Sequence, residues 1–225
     1  MLAFEDNGQI FVMNSDGSDH RQLTTQGVNF YPAWHPDGRR ITFDSNDLGT
    51  APFYSTWIID ADGSNAHRLC AQQPAGDRQA SWHPGGEKYV HMRGAGLSEE
   101  IFAADTTGCT DQQLTVDALN DHDPVYSPAG DQVAFTRVAD PPPAQIWIMN
   151  PDGTGQRQLT KYGGAWPTWS PDGRQIAFVR EDGRQSCAEQ GVIWVIDVHS
   201  GPFLAERQLT YRWPSQCAGN LAATP

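Results

Sequence analysis

The feature that most constrains this chain is a short phrase that recurs at nearly constant spacing: Trp34-His35-Pro36-Asp37-Gly38, Trp82-His83-Pro84-Gly85-Gly86, Tyr126-Ser127-Pro128-Ala129-Gly130 and Trp169-Ser170-Pro171-Asp172-Gly173. The leading aromatics are 48, 44 and 43 residues apart. A period of that length marks supersecondary units that bury their apolar faces only by stacking on one another. An alternating apolar run follows each phrase, such as Ile41-Thr42-Phe43 or Ile176-Ala177-Phe178, and each unit closes on a Leu-Thr pair or a variant of it. The endings Leu23-Thr24, Leu69-Cys70, Leu114-Thr115, Leu159-Thr160 and Leu209-Thr210 define five units.

Within a unit the apolar residues alternate at period two, as in Ile146-Trp147-Ile148-Met149, and the runs are bounded by Asp-Gly or Pro-Asp-Gly turn signals. Such patterning predicts short strands joined by tight hairpins, with glycine supplying the positive φ that the turns require. Sustained 3.6-residue periodicity with caps is missing, and the 22 Gly and 16 Pro leave no room for long helices. Four strands per unit, repeated around an axis, predict an all-β propeller in which Trp34, Trp82, Tyr126 and Trp169 fill the space between blades.

Met1-Leu2-Ala3-Phe4 reads as the second strand of a unit whose first strand is missing at the N-terminus. Residues Tyr211 to Gln216 follow the last Leu-Thr as Ala165 to Trp169 follow Leu159-Thr160, so they supply the absent strand. The expectation is therefore one domain, 1–225, forming a five-bladed propeller of four-stranded antiparallel blades: 1–24 plus 211–217, 25–70, 71–115, 116–160 and 161–210. Pairing the C-terminal strand with the N-terminal blade closes the ring and removes exposed sheet edges. The alternatives are a fragment of a larger propeller and a chain that closes with a partner.

The Trp-Ser-Pro-Asp-Gly phrase, the Ile-Ala-Phe strand, the segments Ile10 to Ser18 and Ile146 to Thr154, and the Gln-Leu-Thr ending resemble the PD40 (WD40-like) repeats of TolB-type propellers over essentially the whole chain. The resemblance implies a propeller, and it implies export to the periplasm or the extracellular space. It does not fix a function, because such propellers serve as protein-binding modules, as gating domains of peptidases and occasionally as enzymes.

A net charge of −12 without clustered Lys and Arg disfavours nucleic acid as a partner. No apolar run of about 18 residues encodes a membrane span, and a monomer is expected. Met1 sits directly against a predicted strand without a signal peptide, as it does in a chain whose leader has been removed. Four Cys allow three pairings. A Cys187 to Cys217 bridge would lock the ring, whereas buried or free thiols suit Cys70 and Cys109 at least as well as a bridge.

In a propeller the blade-to-blade loops and the loops between second and third strands share one face, around the channel. The fourth and third residues before each repeat aromatic fall at that mouth: Phe30 and Tyr31, Arg78 and Gln79, His122 and Asp123, Ala165 and Trp166, and Arg212 and Trp213. TolB-like repeats often carry Asp at the first of these positions, so here an aromatic and cationic funnel replaces an acidic ring. Such a funnel suits an anionic or aromatic ligand, or else its rings seal the channel and its Arg pair with nearby acids. The segments Asp44 to Ser55, Arg93 to Glu99, Arg137 to Ala144 and Arg180 to Gly191 read as loops able to cover it.

His35 and His83 lie beside the far-face turns and are expected to pack or bond to backbone. His122, flanked by Asp121 and Asp123, is the one general-base or metal arrangement to test; no cofactor is otherwise expected. Neither zinc spacing nor a Gly-x-Ser-x-Gly elbow occurs, and the Asp-x-Asp-Gly strings lack a full calcium ligand set. The reading is an extracytoplasmic binding module that takes a protein segment or a small anionic or aromatic ligand at the channel mouth. Its alternative is a lyase- or hydrolase-type enzyme at the same mouth, with His122 as base and Asp123 orienting it.

Overall fold

The computed structural model describes residues 1–46, 54–71, 76–95, 98–107, 109–138, 141–180, 192–199 and 206–210. Blade 1 contains β1 (Leu2–Asp6), β2 (Gln9–Met13) and β3 (Arg21–Gln22), and blade 2 contains β4 (Asn29–Trp34), β5 (Arg40–Ser45), β6 (Ser55–Asp60) and β7 (His67–Arg68). Blade 3 contains β8 (Asp77–Trp82), β9 (Lys88–Ala95), β10 (Ser98–Asp105) and β11 (Asp111–Gln113). Blade 4 contains β12 (Asn120–Tyr126), β13 (Val133–Val138), β14 (Gln145–Met149) and β15 (Arg157–Gln158). Blade 5 contains β16 (Ala165–Trp169), β17 (Gln175–Arg180), β18 (Val192–Asp197) and β19 (Arg207–Gln208).

The chain is thus an all-β, five-bladed propeller of antiparallel meanders, four-stranded in blades 2 to 5, with three strands of blade 1 among the described residues. The strand expected to complete blade 1, at 211–217, lies outside the described residues.

Each apolar cluster sits between two neighbouring blades. Ile10, Val12 and Leu23 of blade 1 meet Ile41, Phe43 and Ile59 of blade 2, and Ile146 and Leu159 of blade 4 meet Ile176 and Phe178 of blade 5. The repeat aromatics occupy these seams: Trp82 and Tyr126 are buried, and Trp34 and Trp169 pack on the edges of their clusters. The Trp82 indole N–H donates across the seam to Thr42 Oγ1 at 3.1 Å, and that of Trp169 donates to Val125 O at 3.2 Å.

The recurring Leu-Thr endings have a backbone reason. The hydroxyls of Thr24, Thr115, Thr160 and Thr210 accept from the N–H groups of Ile10, Ile101, Ile146 and Ile193 at 2.8–2.9 Å, satisfying donors at the start of each third strand or its equivalent. Blade 2 has Cys70 in place of this Thr, and Cys70 is disulfide-bonded to Cys109 of blade 3. The bridge corrects the reading of these two as thiols; Cys187 and Cys217 lie outside the described residues.

Candidate functional site

All four complete blades break register in their first strand, between Phe30 and Ala33, Arg78 and Ser81, His122 and Val125, and Ala165 and Thr168. At each break the third residue before the repeat aromatic is left-handed: Tyr31 at φ 53°, Gln79 at 58°, Asp123 at 53° and Trp166 at 55°. Pro32, Pro124 and Pro167 follow three of these residues. Proline has no N–H for the ladder and is tolerated in a strand at such a bulge. Holding non-glycine residues here costs about 1–3 kcal/mol each and persists only where the surroundings fix the conformation.

The surroundings do so through hydrogen bonds that run from blade to blade. Gln79 N–H donates to Asp44 Oδ2 at 2.8 Å, and the Gln79 amide donates to Asp123 Oδ1 at 2.7 Å. Asp123 N–H returns a bond to Gln79 Oε1 at 3.0 Å, and Trp166 N–H donates to Thr136 Oγ1 at 3.2 Å. Phe30 stands opposite Asp44 in the ladder, with its ring centroid 6.3 Å from that of Tyr31 and 5.9 Å from that of Tyr54. The geometry gathers Phe30, Tyr31, Arg78, Gln79, His122, Asp123 and Trp166 at one end of the blades. Arg212 and Trp213 lie outside the described residues.

Glu99, at the start of β10, was legible only as the end of a loop. It joins two of these residues: one carboxylate oxygen pairs with the Arg78 guanidinium and the other lies 2.8 Å from His122 Nε2. Arg78 therefore carries its own counter-charge, as the sealing alternative requires. The Asp121-His122-Asp123 string does not converge, because the register break and left-handed backbone at Asp123 interrupt the alternation that would place Asp121 and Asp123 on one face. Asp121 is clamped by Arg137 at 2.8 and 2.7 Å and lies near Glu100 and Asp117, whereas Asp123 bonds to Gln79. His122 thus has the Glu99 carboxylate beside it, although its Nε2 makes no well-aligned hydrogen bond there.

Asp44, read from sequence as a loop residue, is a strand residue buried to 1% exposure in β5. Burial pushes its carboxyl up to about 8; the Gln79 N–H and the Arg78 charge work against the rise, and Asp77 adds to it. Its Oδ1 is buried without a hydrogen-bond partner. Asp123 is also raised by burial, against the opposing pull of Thr136, His122, Trp166 N–H and Gln79. Among the described residues gathered here, the rings of Tyr31 (52% exposed) and Trp166 (59%) are the most accessible apolar surface.

On the opposite face His35 Nε2 lies 3.0 Å from Gly86 O and its ring meets the edge of Trp82, while His83 accepts from Gly85 N–H at 3.0 Å and packs edge-on against Tyr126. Both have the packing roles expected of them.

Comparison with known proteins bears on this geometry. The family described as TolB beta propeller domain matches residues 1–166. An uncharacterized protein of Agrobacterium fabrum is 27% identical over 184 residues, covering 76% of this chain and 61% of that protein. The Tol-Pal system protein TolB of Gluconobacter oxydans is 48% identical over 61 residues, covering 26% of this chain and 13% of its own length. Among solved structures, TolB from Acinetobacter baumannii superposes with a TM-score of 0.75 at 19% identity, over 90% of this chain and 48% of that one. An oligogalacturonate lyase in complex with manganese superposes at 0.63 and 19% identity, over 90% of this chain and 58% of the lyase. The chain thus spans less than two thirds of these relatives' lengths, and the structural likenesses are likenesses of fold. The match over 1–166 nevertheless covers most of the chain, which therefore belongs to the TolB β-propeller family.

Proposed function

We propose that the chain is an extracytoplasmic binding module whose ligand is a protein segment laid across the channel mouth. The observation that carries this reading is the pair of exposed rings, Tyr31 and Trp166, held in left-handed bulges at equivalent positions of blades 2 and 5. Strained, outward-facing aromatics on a rigid scaffold suit the anchor role that Trp and Tyr play at interfaces. Pairing of Arg78 with Glu99 weakens the case for a small anionic ligand and favours one that meets rings first and the Arg78, Glu99 and His122 cluster second. Similarity to a protein of the Tol-Pal system supports a protein partner. The Cys70 to Cys109 bridge supports an oxidising compartment, periplasmic or extracellular.

Glycine tests the anchors without disturbing the fold, because it adopts positive φ freely. Peptides selected from a random library on the wild-type protein should lose about 2 kcal/mol or more of binding to Trp166→Gly or Tyr31→Gly, and none to His83→Ala on the far face. Undiminished binding to both glycine variants would reject the mouth as the site.

The enzyme reading draws on the 2.8 Å approach of Glu99 to His122 Nε2, which sets a carboxylate beside a candidate general base. It requires a reaction that disappears in His122→Gln while the selected peptides still bind.

A further inference from the structure

Three sister blades fill one internal volume with an arginine. Arg137 lies over Phe135 and Trp147, with its guanidinium carbon 5.2 and 4.7 Å from the ring centroids, and Arg180 lies over Phe178 and Trp194 at 5.2 and 4.3 Å. Arg93 lies over Phe102 at 4.8 Å. Acidic groups balance each cation: Asp121 and Asp117 for Arg137, Asp77 and Asp111 for Arg93, and Glu206 for Arg180.

Blade 2 keeps the rings, Phe43 and Trp57, and has lost the rest. The repeat aligns Ser45 with the three arginines, Asn29 with Asp77 and Asp121, Gln26 with Asp117, and Ala66 with Asp111 and Glu206. A cavity of about 270 Å³ occupies the vacated volume, lined by Phe43, Trp57, Ser45, Asn29, Gln26 and Ala66 among others. Two polar groups in its wall have no partner among the described residues. Ser45 is 5% exposed and its hydroxyl makes no hydrogen bond, and the Trp57 indole Nε1 is buried without an acceptor.

The lining decides the charge of the occupant. A guanidinium would gain from the rings, but burying it without a carboxylate costs more than that gain, and no carboxylate among the described residues lines this cavity. A flat uncharged group balances the site: rings for its face, and the Gln26 amide, the Asn29 Oδ1 and the Ser45 hydroxyl for its edge, the Asn29 amide N–H groups being held by Gly8 O, Gln9, Thr24 and Gln26 O. The geometry points to a second binding site between blades 1 and 2, separate from the channel mouth, that takes a single uncharged aromatic ring bearing a carboxamide-like polar edge.

Benzamide and benzamidine test this directly, since they share shape and differ in charge. The readout is the indole N–H resonance of Trp57, assigned by its loss in Trp57→Phe. Benzamide should shift it at concentrations about tenfold below those benzamidine needs, given the cost of an unbalanced buried cation. The puckered analogue cyclohexanecarboxamide should bind more weakly than benzamide, for want of a flat face. Ser45→Arg with Asn29→Asp rebuilds the sister-blade pair, fills the cavity from within and should abolish the shift, whereas Ser45→Ala, which removes one edge partner and leaves the cavity open, should weaken binding without abolishing the shift. Tighter binding of benzamidine, or a benzamide shift that survives the arginine pair in a folded protein, would overturn the assignment.

Discussion

At the scale of single residues, Asp44 makes the sharpest demand. Its carboxyl holds a proton in the folded protein up to about pH 8, whereas its ordinary value is 3.8. Between those limits the folded state binds a proton that the unfolded chain has released, so stability falls as pH rises through that window. Asp44→Asn copies the protonated form. It should match wild type near pH 4, gain on it progressively above, and flatten the pH dependence of the denaturation midpoint. Equal slopes for the two proteins would show that Asp44 is ionised in the fold. Sequence placed this residue on a loop because Asp rarely fills the interior of a strand. The override comes from the neighbouring blade, whose Gln79 N–H needs an acceptor at that point. The left-handed bulges were announced more openly, by prolines inside three first strands, but their conformation depends on partners about 30 to 45 residues away.

At the scale of elements, the Leu-Thr endings and the single cysteine exception belong together. Four units satisfy a third-strand N–H with a threonine hydroxyl, and blade 2 replaces that hydroxyl with a covalent tie to blade 3. The tie spans 39 residues, and constraining a loop of that order is worth about 2–4 kcal/mol. Reduction, or the double substitution Cys70→Thr and Cys109→Ala, should lower the unfolding free energy by about that amount without changing the strand content seen by circular dichroism. A midpoint insensitive to reductant would show that the seam of Trp82 and Tyr89 holds blades 2 and 3 alone. Substitution of Cys for Thr was visible in the sequence, but its partner was not, since spacing does not choose among three pairings. Glu99 escaped notice for a related reason: its partners Arg78 and His122 come from two other strands, and only the packed blades bring them together.

At the scale of the whole molecule, the period of the repeat carried most of the architecture. Turn signals, alternation and recurring aromatics led to a five-bladed propeller with aromatic seams because every unit repeats the same local rules. The mouth was legible as a set of positions, since any propeller brings equivalent residues to one end. Its electrostatics were not legible, because pairing of Arg78, burial of Asp123 and exposure of Trp166 are set by neighbours from adjoining blades. The central claim is that ligand engages this end of the blades. It is tested most directly by amide hydrogen exchange of the protein with and without a peptide selected on it. Protection is predicted at the starts of the first strands, around Tyr31, Gln79, Asp123 and Trp166. Protection confined to the Pro-Asp-Gly turns at the other end, around Gly38, Gly86, Gly130 and Gly173, would contradict it.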